Sequence, residues 1–190
     1  MKRILSLFIA IVVVLSLSSC KTDESTQVEK VGVPIEAGWT YETLKECILI
    51  NDRKADVPIS LKNFGDDFEF QIFYQSDDNA LVDVNINYDG KYVGAARIVD
   101  ESLSGDIYNG YVKSVIFSEN CPIYVNGLSF GSNMKDVEKY FGAFDYVTQT
   151  SCSSTVQVDI DDNSQFIVRI TCNESGNVEH ISFSIGDLEK

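Results

Sequence analysis

The chain is short of the residues on which most site chemistry depends: it has one histidine, three prolines, two methionines and one tryptophan in 190 residues. With His180 as the single histidine, any Ser-His-Asp or Cys-His arrangement would have to use that position. His180 alternates with Ile181, Phe183 and Ile185 and is expected to point outward from a strand. No Cys-x-x-Cys spacing occurs, which removes the common zinc-knuckle and thioredoxin-type patterns. Gly127 and Gly131 lack the lysine and parallel-strand setting of a phosphate loop. Bases are scarce, 15 Lys and Arg against 29 Asp and Glu, giving a net charge of -14. A field of that sign repels phosphate backbones, so no nucleic-acid partner is expected. The longest apolar run, Ile4 to Leu17, falls short of the roughly 20 residues that cross a bilayer as a helix.

That short run has the company an export signal needs. Lys2 and Arg3 precede it, and Ser16, Ser18 and Ser19 end it. The residues Leu17-Ser18-Ser19-Cys20 resemble the bacterial lipobox, which implies a diacylglyceryl group on Cys20 and removal of residues 1–19 as a signal peptide. Two acyl chains are what stable anchoring requires. The expected location is therefore the membrane, lipid-anchored and facing away from the cytoplasm. Losing Lys2 and Arg3 and no acid takes the formal charge from -14 to -16. Residues 20–41 are polar and punctuated by Gly32, Pro34 and Gly38, the composition of a flexible tether. Trp39 and Tyr41, where the tether meets the domain, are expected to dock on the core.

Residues 42–190 are the length of one ordinary domain, with candidate halves at 42–118 and 119–190. The pattern predicts an α+β fold, mainly antiparallel β-sheet with one or two short helices packed on it. The clearest helix follows Gly131: Asn133 can cap it, Asp136 can close a capping box, Met134, Val137 and Phe141 lie at helical spacing, and Gly142 stops it. A hairpin follows, with Val156, Val158 and Ile160 facing Phe166, Val168 and Ile170 across the loop Asp161-Asp162-Asn163, where Asn163 suits the left-handed position. Further strands are expected over 47–50, 55–59, 68–75, 81–88, 92–99 and 111–117, with Asp89-Gly90 as a hairpin turn and Ser60 capping a short helix that ends at Phe64-Gly65. Ile48 to Asp52 with Phe64-Gly65 echoes Ile123 to Gly127 with Phe141-Gly142, as a duplicated strand-helix-sheet unit would.

From Gly127-Leu128-Ser129-Phe130-Gly131 through Val137 to Phe141-Gly142 the chain resembles the repeat of the β-lactamase-inhibitor-like and small outer-membrane-assembly lipoproteins. It is also similar to lipoproteins of gut anaerobes that place this unit after an Asn-Gly or Asp-Gly hairpin. The resemblance covers residues 123–145 and implies a helical layer on an antiparallel sheet and a binding role. Ala143 and Phe144 stand where the family pattern has proline, and no inhibitory loop is identifiable, so inhibition does not carry over.

Four cysteines remain beyond Cys20, an even number in an exported chain. The hairpin register sets Cys152 opposite Cys172, a candidate disulfide, with Cys47 and Cys121 as the second pair; the alternative is four buried thiols. Asp159 to Asn163 imitates a calcium loop, but Ser164 replaces its glycine and Ile170 its terminal glutamate, which fits a solvated hairpin tip. No catalytic residue, metal or cofactor is expected. The functional expectation is a non-catalytic module that binds an envelope or extracellular protein or peptide through its sheet face or loops. The alternative is a carboxylate-dependent hydrolase of cell-wall or carbohydrate polymers, which needs two acids converging in a cleft.

Overall fold

Strand alternation and two small helices build this α+β fold, and the computed structural model describes residues 32–34, 38–118 and 120–187 of it. In chain order the elements are α1 (Tyr41–Glu46), β1 (Ile48–Ile50), β2 (Arg53–Lys54), a 3-10 turn (Leu61–Asn63), β3 (Phe68–Gln75), β4 (Leu81–Tyr88), β5 (Lys91–Val99), β6 (Tyr111–Phe117), β7 (Ile123–Val125), α2 (Met134–Tyr140), β8 (Tyr146–Val147), β9 (Ser151–Asp159), β10 (Ser164–Asn173) and β11 (Val178–Asp187). An eight-stranded antiparallel sheet has the order β3-β4-β5-β6-β11-β10-β9-β8, and a three-stranded one has the order β2-β1-β7. Val82, Val84 and Ile86 of β4 and Ile181, Phe183 and Ile185 of β11 point to the buried side, where Leu44, Ile48, Val125 and Val137 of the second layer meet them.

The echo seen in the sequence is an echo in space. Asn51-Asp52 and Asn126-Gly127 are both turn pairs with positive φ, at 51° and 62° and at 47° and 76°. This double left-handed conformation defines a type I′ turn, which asparagine and glycine tolerate. Each asparagine amide then reaches the end of the following helix: Asn51 Nδ2 donates to Phe64 O at 3.3 Å, and Asn126 Nδ2 to Tyr140 O at 2.6 Å. A four-strand meander follows in each half. The halves join like against like, β1 on β7 through Leu49 opposite Tyr124 and β6 on β11 through Ile116 opposite Ser182, both antiparallel. The order of turn, short helical segment and four-strand meander thus occurs twice.

Local sequence explains most elements. Asn133 Oδ1 caps α2 by accepting from Lys135 N and Asp136 N, while Asp136 receives the asparagine side-chain amide. Ser60 caps the 3-10 turn. The hairpin pairs Val158 with Phe166 and Val156 with Val168, as the alternation predicts. Its loop differs: Asn163 does not take positive φ, and Asp161 Oδ1 instead accepts from Asn163 N and Ser164 N at 2.8 and 2.9 Å, an Asx turn that needs no left-handed residue. The strand expected over 55–59 does not form, since Pro58 has no N–H to give a ladder; the short β2, Arg53–Lys54, lies just before it. The loop between β5 and β6 is gathered around Asp100, which is fully buried. The hydroxyls of Ser102 and Ser104 and the N–H groups of Ser102 and Gly105 hold its carboxyl down at about 2.

The stretch expected as tether is held at its described positions. Val33 N donates to Asn126 Oδ1 at 2.9 Å, and Val33 O accepts from Asn126 Nδ2 at 2.7 Å. Trp39 Nε1 donates to Phe141 O at 2.7 Å with its ring 5.6 Å from that of Phe141, and Tyr41 donates to Val57 O. Both aromatics dock on the core, as expected for them. Thr40 and Thr43 form a reciprocal capping box that starts α1, a helix the sequence pattern does not mark because threonine replaces the usual glutamate.

Candidate functional site

The second layer covers one face of the large sheet, and among the described residues nothing is layered on the other. On that outer face the alternation places Asp83 and Asn85 of β4, Ala95 and Arg97 of β5, Ser114 and Ile116 of β6, and Ser182 and Ser184 of β11. Ala95, Ser114, Ser182 and Ser184 are small, so the middle of the face is low. A groove of about 400 Å³ lies there, rimmed by Phe73, Arg97 and Ile116. Phe73 is 58% exposed and Ile116 47%. Gly94 contributes by close approach: a Cβ there would fall 2.2 Å from Ile116 O, so β5 and β6 lie closer than a side chain would permit.

Charge on the rim is fixed in place. Arg97 donates Nε and an Nη to the two oxygens of Asp83 at 2.8 and 2.9 Å, and the guanidinium holds the Asp83 carboxyl below its usual range. Across the face, Arg169 donates to Thr155 Oγ1 at 3.1 Å. Of the groove strands, the sequence pattern assigns an inward face only to the last, with Ile181, Phe183 and Ile185, and singles out none of the groove's outward positions. The signal is present in Ala95, Ser182 and Ser184, small residues where charged ones usually stand.

The expected site residues are distributed as follows. Cys20 and residues 1–19, expected as a signal peptide, lie outside the described residues. Cys152 and Cys172 are directly opposed on β9 and β10, as predicted, and are thiols in this structure. Opposed antiparallel residues are about 5 Å apart between Cα atoms, inside the range of a disulfide. Burial, then the neighbouring Cys152, pushes the Cys172 thiol up to about 12. The second predicted pair is corrected by register. Cys47 O accepts from Asn126 N at one end of the β1–β7 ladder, whereas Pro122 O, next to Cys121, accepts from Asn51 N at the other. The three paired residues of β1 lie between these two bonds, which are four strand steps or about 13 Å apart, beyond bridging distance. Burial raises both thiols, that of Cys121 to about 12.

His180 lies on the outer face beside Thr171, its Nε2 4.0 Å from Glu179 Oε2, and its Nδ1 is buried without a hydrogen-bond partner among the described residues. Asp159 to Asn163 forms the hairpin tip described above. Among the described residues no cluster of three or more His, Cys, Asp or Glu could hold a metal ion, and no helix is long and apolar enough to cross a membrane. In the comparisons the chain matches no family model, no curated protein and no solved structure.

Proposed function

We propose that the chain is an extracytoplasmic lipoprotein, held to the membrane by acyl groups on Cys20, whose domain binds a protein or peptide on the uncovered sheet face without catalysing a reaction. The groove over β5, β6 and β11 carries this reading. A floor of small residues admits side chains of another protein, and exposed Phe73 and Ile116 offer apolar surface beside it. Arg97, braced by Asp83, presents donors whose geometry is already set. Both oxygens of Asp83 are engaged in that brace, which suits a structural rim better than proton transfer.

Two measurements test the reading. Incorporation of labelled palmitate is expected in the wild type and absent in Cys20→Ser, which is expected in the soluble fraction; label retained in the variant refutes the anchor. A photoreactive residue at Ser182 is expected to trap one protein in the native membrane, and the same probe at Lys135, exposed on α2, to trap none. Ser184→Trp, filling the groove, should abolish the Ser182 adduct while changing stability by no more than about 0.5 kcal/mol. Equal adducts from both positions, or turnover of a wall or carbohydrate polymer by the purified protein, would overturn the proposal.

A further inference from the structure

The large sheet has two edges of very different kind. β8 is two residues long, whereas β3 runs for eight. Asp89 N donates to Asp67 O at 3.3 Å, and antiparallel alternation from that bond turns the N–H and C=O of Phe70 and Ile72 away from β4. Among the described residues no strand pairs with this row, and such a row is a template for another strand. The side chains around it are apolar and open: Ile72, Phe73 and Tyr74 are 44, 58 and 50% exposed. Neither lysine nor proline, the common guards of an edge, occurs in β3.

Charge decides what can pair there. Residues 66–78 hold five acids and no base: Asp66, Asp67 and Glu69 at the start, Asp77 and Asp78 past the end. All five are exposed, and Asp89 stands exposed in the next turn. The Ser76 hydroxyl and the Ala80 N–H keep the Asp78 carboxyl below its usual range, so it stays ionised. A second copy pairing antiparallel would set the leading acids of one β3 against the trailing acids of the other, and a parallel copy would set like against like. Either arrangement adds local repulsion to a chain already at -14. The bulge between Ile72 and Tyr74 further twists the edge away from a flat self-match. The edge therefore refuses its own kind and favours the opposite charge pattern.

We infer that β3 is a docking edge for an extended segment of a partner protein, apolar in its middle and carrying Lys or Arg at both ends, which adds to the sheet as a further strand. The inference rests on the reading of the chain as a binding module and gives it a second contact, which adjoins the groove at Phe73. Main-chain bonds to Phe70 and Ile72 supply affinity, and the two acidic ends fix register and select the partner.

The test uses the full lipidated chain in nanodiscs and fluorescence anisotropy of a terminally blocked peptide of alternating valine and threonine with a lysine pair at each end. Binding is expected, weakening as salt is raised. The same peptide with glutamate pairs, and a version N-methylated on the amides of one edge, should each bind at least about tenfold more weakly. Ile72→Pro removes an outward N–H without costing an internal ladder bond and should cause a similar loss at unchanged Tm. Should that variant fail to fold, Ile72→Lys, which sets a like charge against the lysine peptide, is expected to weaken it instead. Equal binding of lysine and glutamate peptides, undiminished binding to Ile72→Pro, or a wild-type dimer that buries β3 would overturn the inference. The Ser182 adduct separates the two readings: an adduct without lysine-selective peptide binding refutes the edge alone, and selective peptide binding without an adduct refutes the groove alone.

Discussion

Phe117→Ala is expected to destabilise the whole domain by about 3–5 kcal/mol, the range for removing a fully buried phenylalanine side chain. Phe117 is completely buried at the end of β6, the strand on which the two halves meet. Its ring lies 5.9 Å from Phe64 in the first half and 6.2 Å from Phe183 in the second. Those rings continue outward, Phe64 to Phe68 at 5.2 Å and Phe183 to Phe166 at 6.2 Å. Removing the middle ring leaves a void that the surroundings can fill only poorly, because β5 already touches β6 backbone to backbone at Gly94. In urea the midpoint should fall by about 2 M at a typical slope. Trp39 fluorescence, which reports the packing on Phe141, and far-UV circular dichroism should move together as one transition. Two separated transitions would show the halves to be independent folding units. Phe117→Leu, which keeps most of the volume, should lose under about 1.5 kcal/mol.

The elements legible in the sequence are those whose own residues decide them. The hairpin of β9 and β10 has a period of two on both sides and a loop of the right length, so its register follows, down to Cys152 opposite Cys172. Asn133, Val137 and Gly142 mark α2 within one turn of chain. What the sequence hid depends on distant partners. Nothing local to Gly32-Val33 tells that Asn126, 93 residues away from Val33, closes two hydrogen bonds on it. Cys47 and Cys121 looked available to each other until the β1–β7 register placed them at opposite ends of one short ladder. The groove was half legible: alternation says which residues face outward, but only the strand order β5-β6-β11 brings Ala95, Ser114 and Ser182 side by side. That order joins the end of one half to the end of the other, and no pattern within either half encodes it.

Asn126→Ala should be the most damaging polar substitution, at about 3–4 kcal/mol, because one side chain serves three purposes. Asn126 is 5% exposed and has φ of 47°, where alanine costs about 1 kcal/mol more than asparagine. Its amide makes bonds of 2.9 and 2.7 Å to Val33 and 2.6 Å to Tyr140 O. Each contributes about 1 kcal/mol net, and Tyr140 O at the end of α2 loses a side-chain partner. Asn126→Gly relieves the backbone term and keeps the bond losses, so it should recover about 1 kcal/mol of the deficit. Amide exchange separates the mooring from the turn. The Val33 amide is expected to be protected in the wild type and to exchange freely in Asn126→Ala. Gly32→Ala reaches the same result while keeping the Asn126 side chain, since a Cβ there would lie 2.6 Å from the Tyr140 ring and 2.8 Å from Asn126 O. It should release Val33 while leaving the global urea midpoint almost unmoved. Unchanged protection of Val33 in both variants would refute the mooring. Val33 stands thirteen positions after Cys20, on the side of the domain that carries α2. A lipid on Cys20, as proposed, would then hold Val33 within about 45 Å of the membrane, the reach of thirteen extended residues.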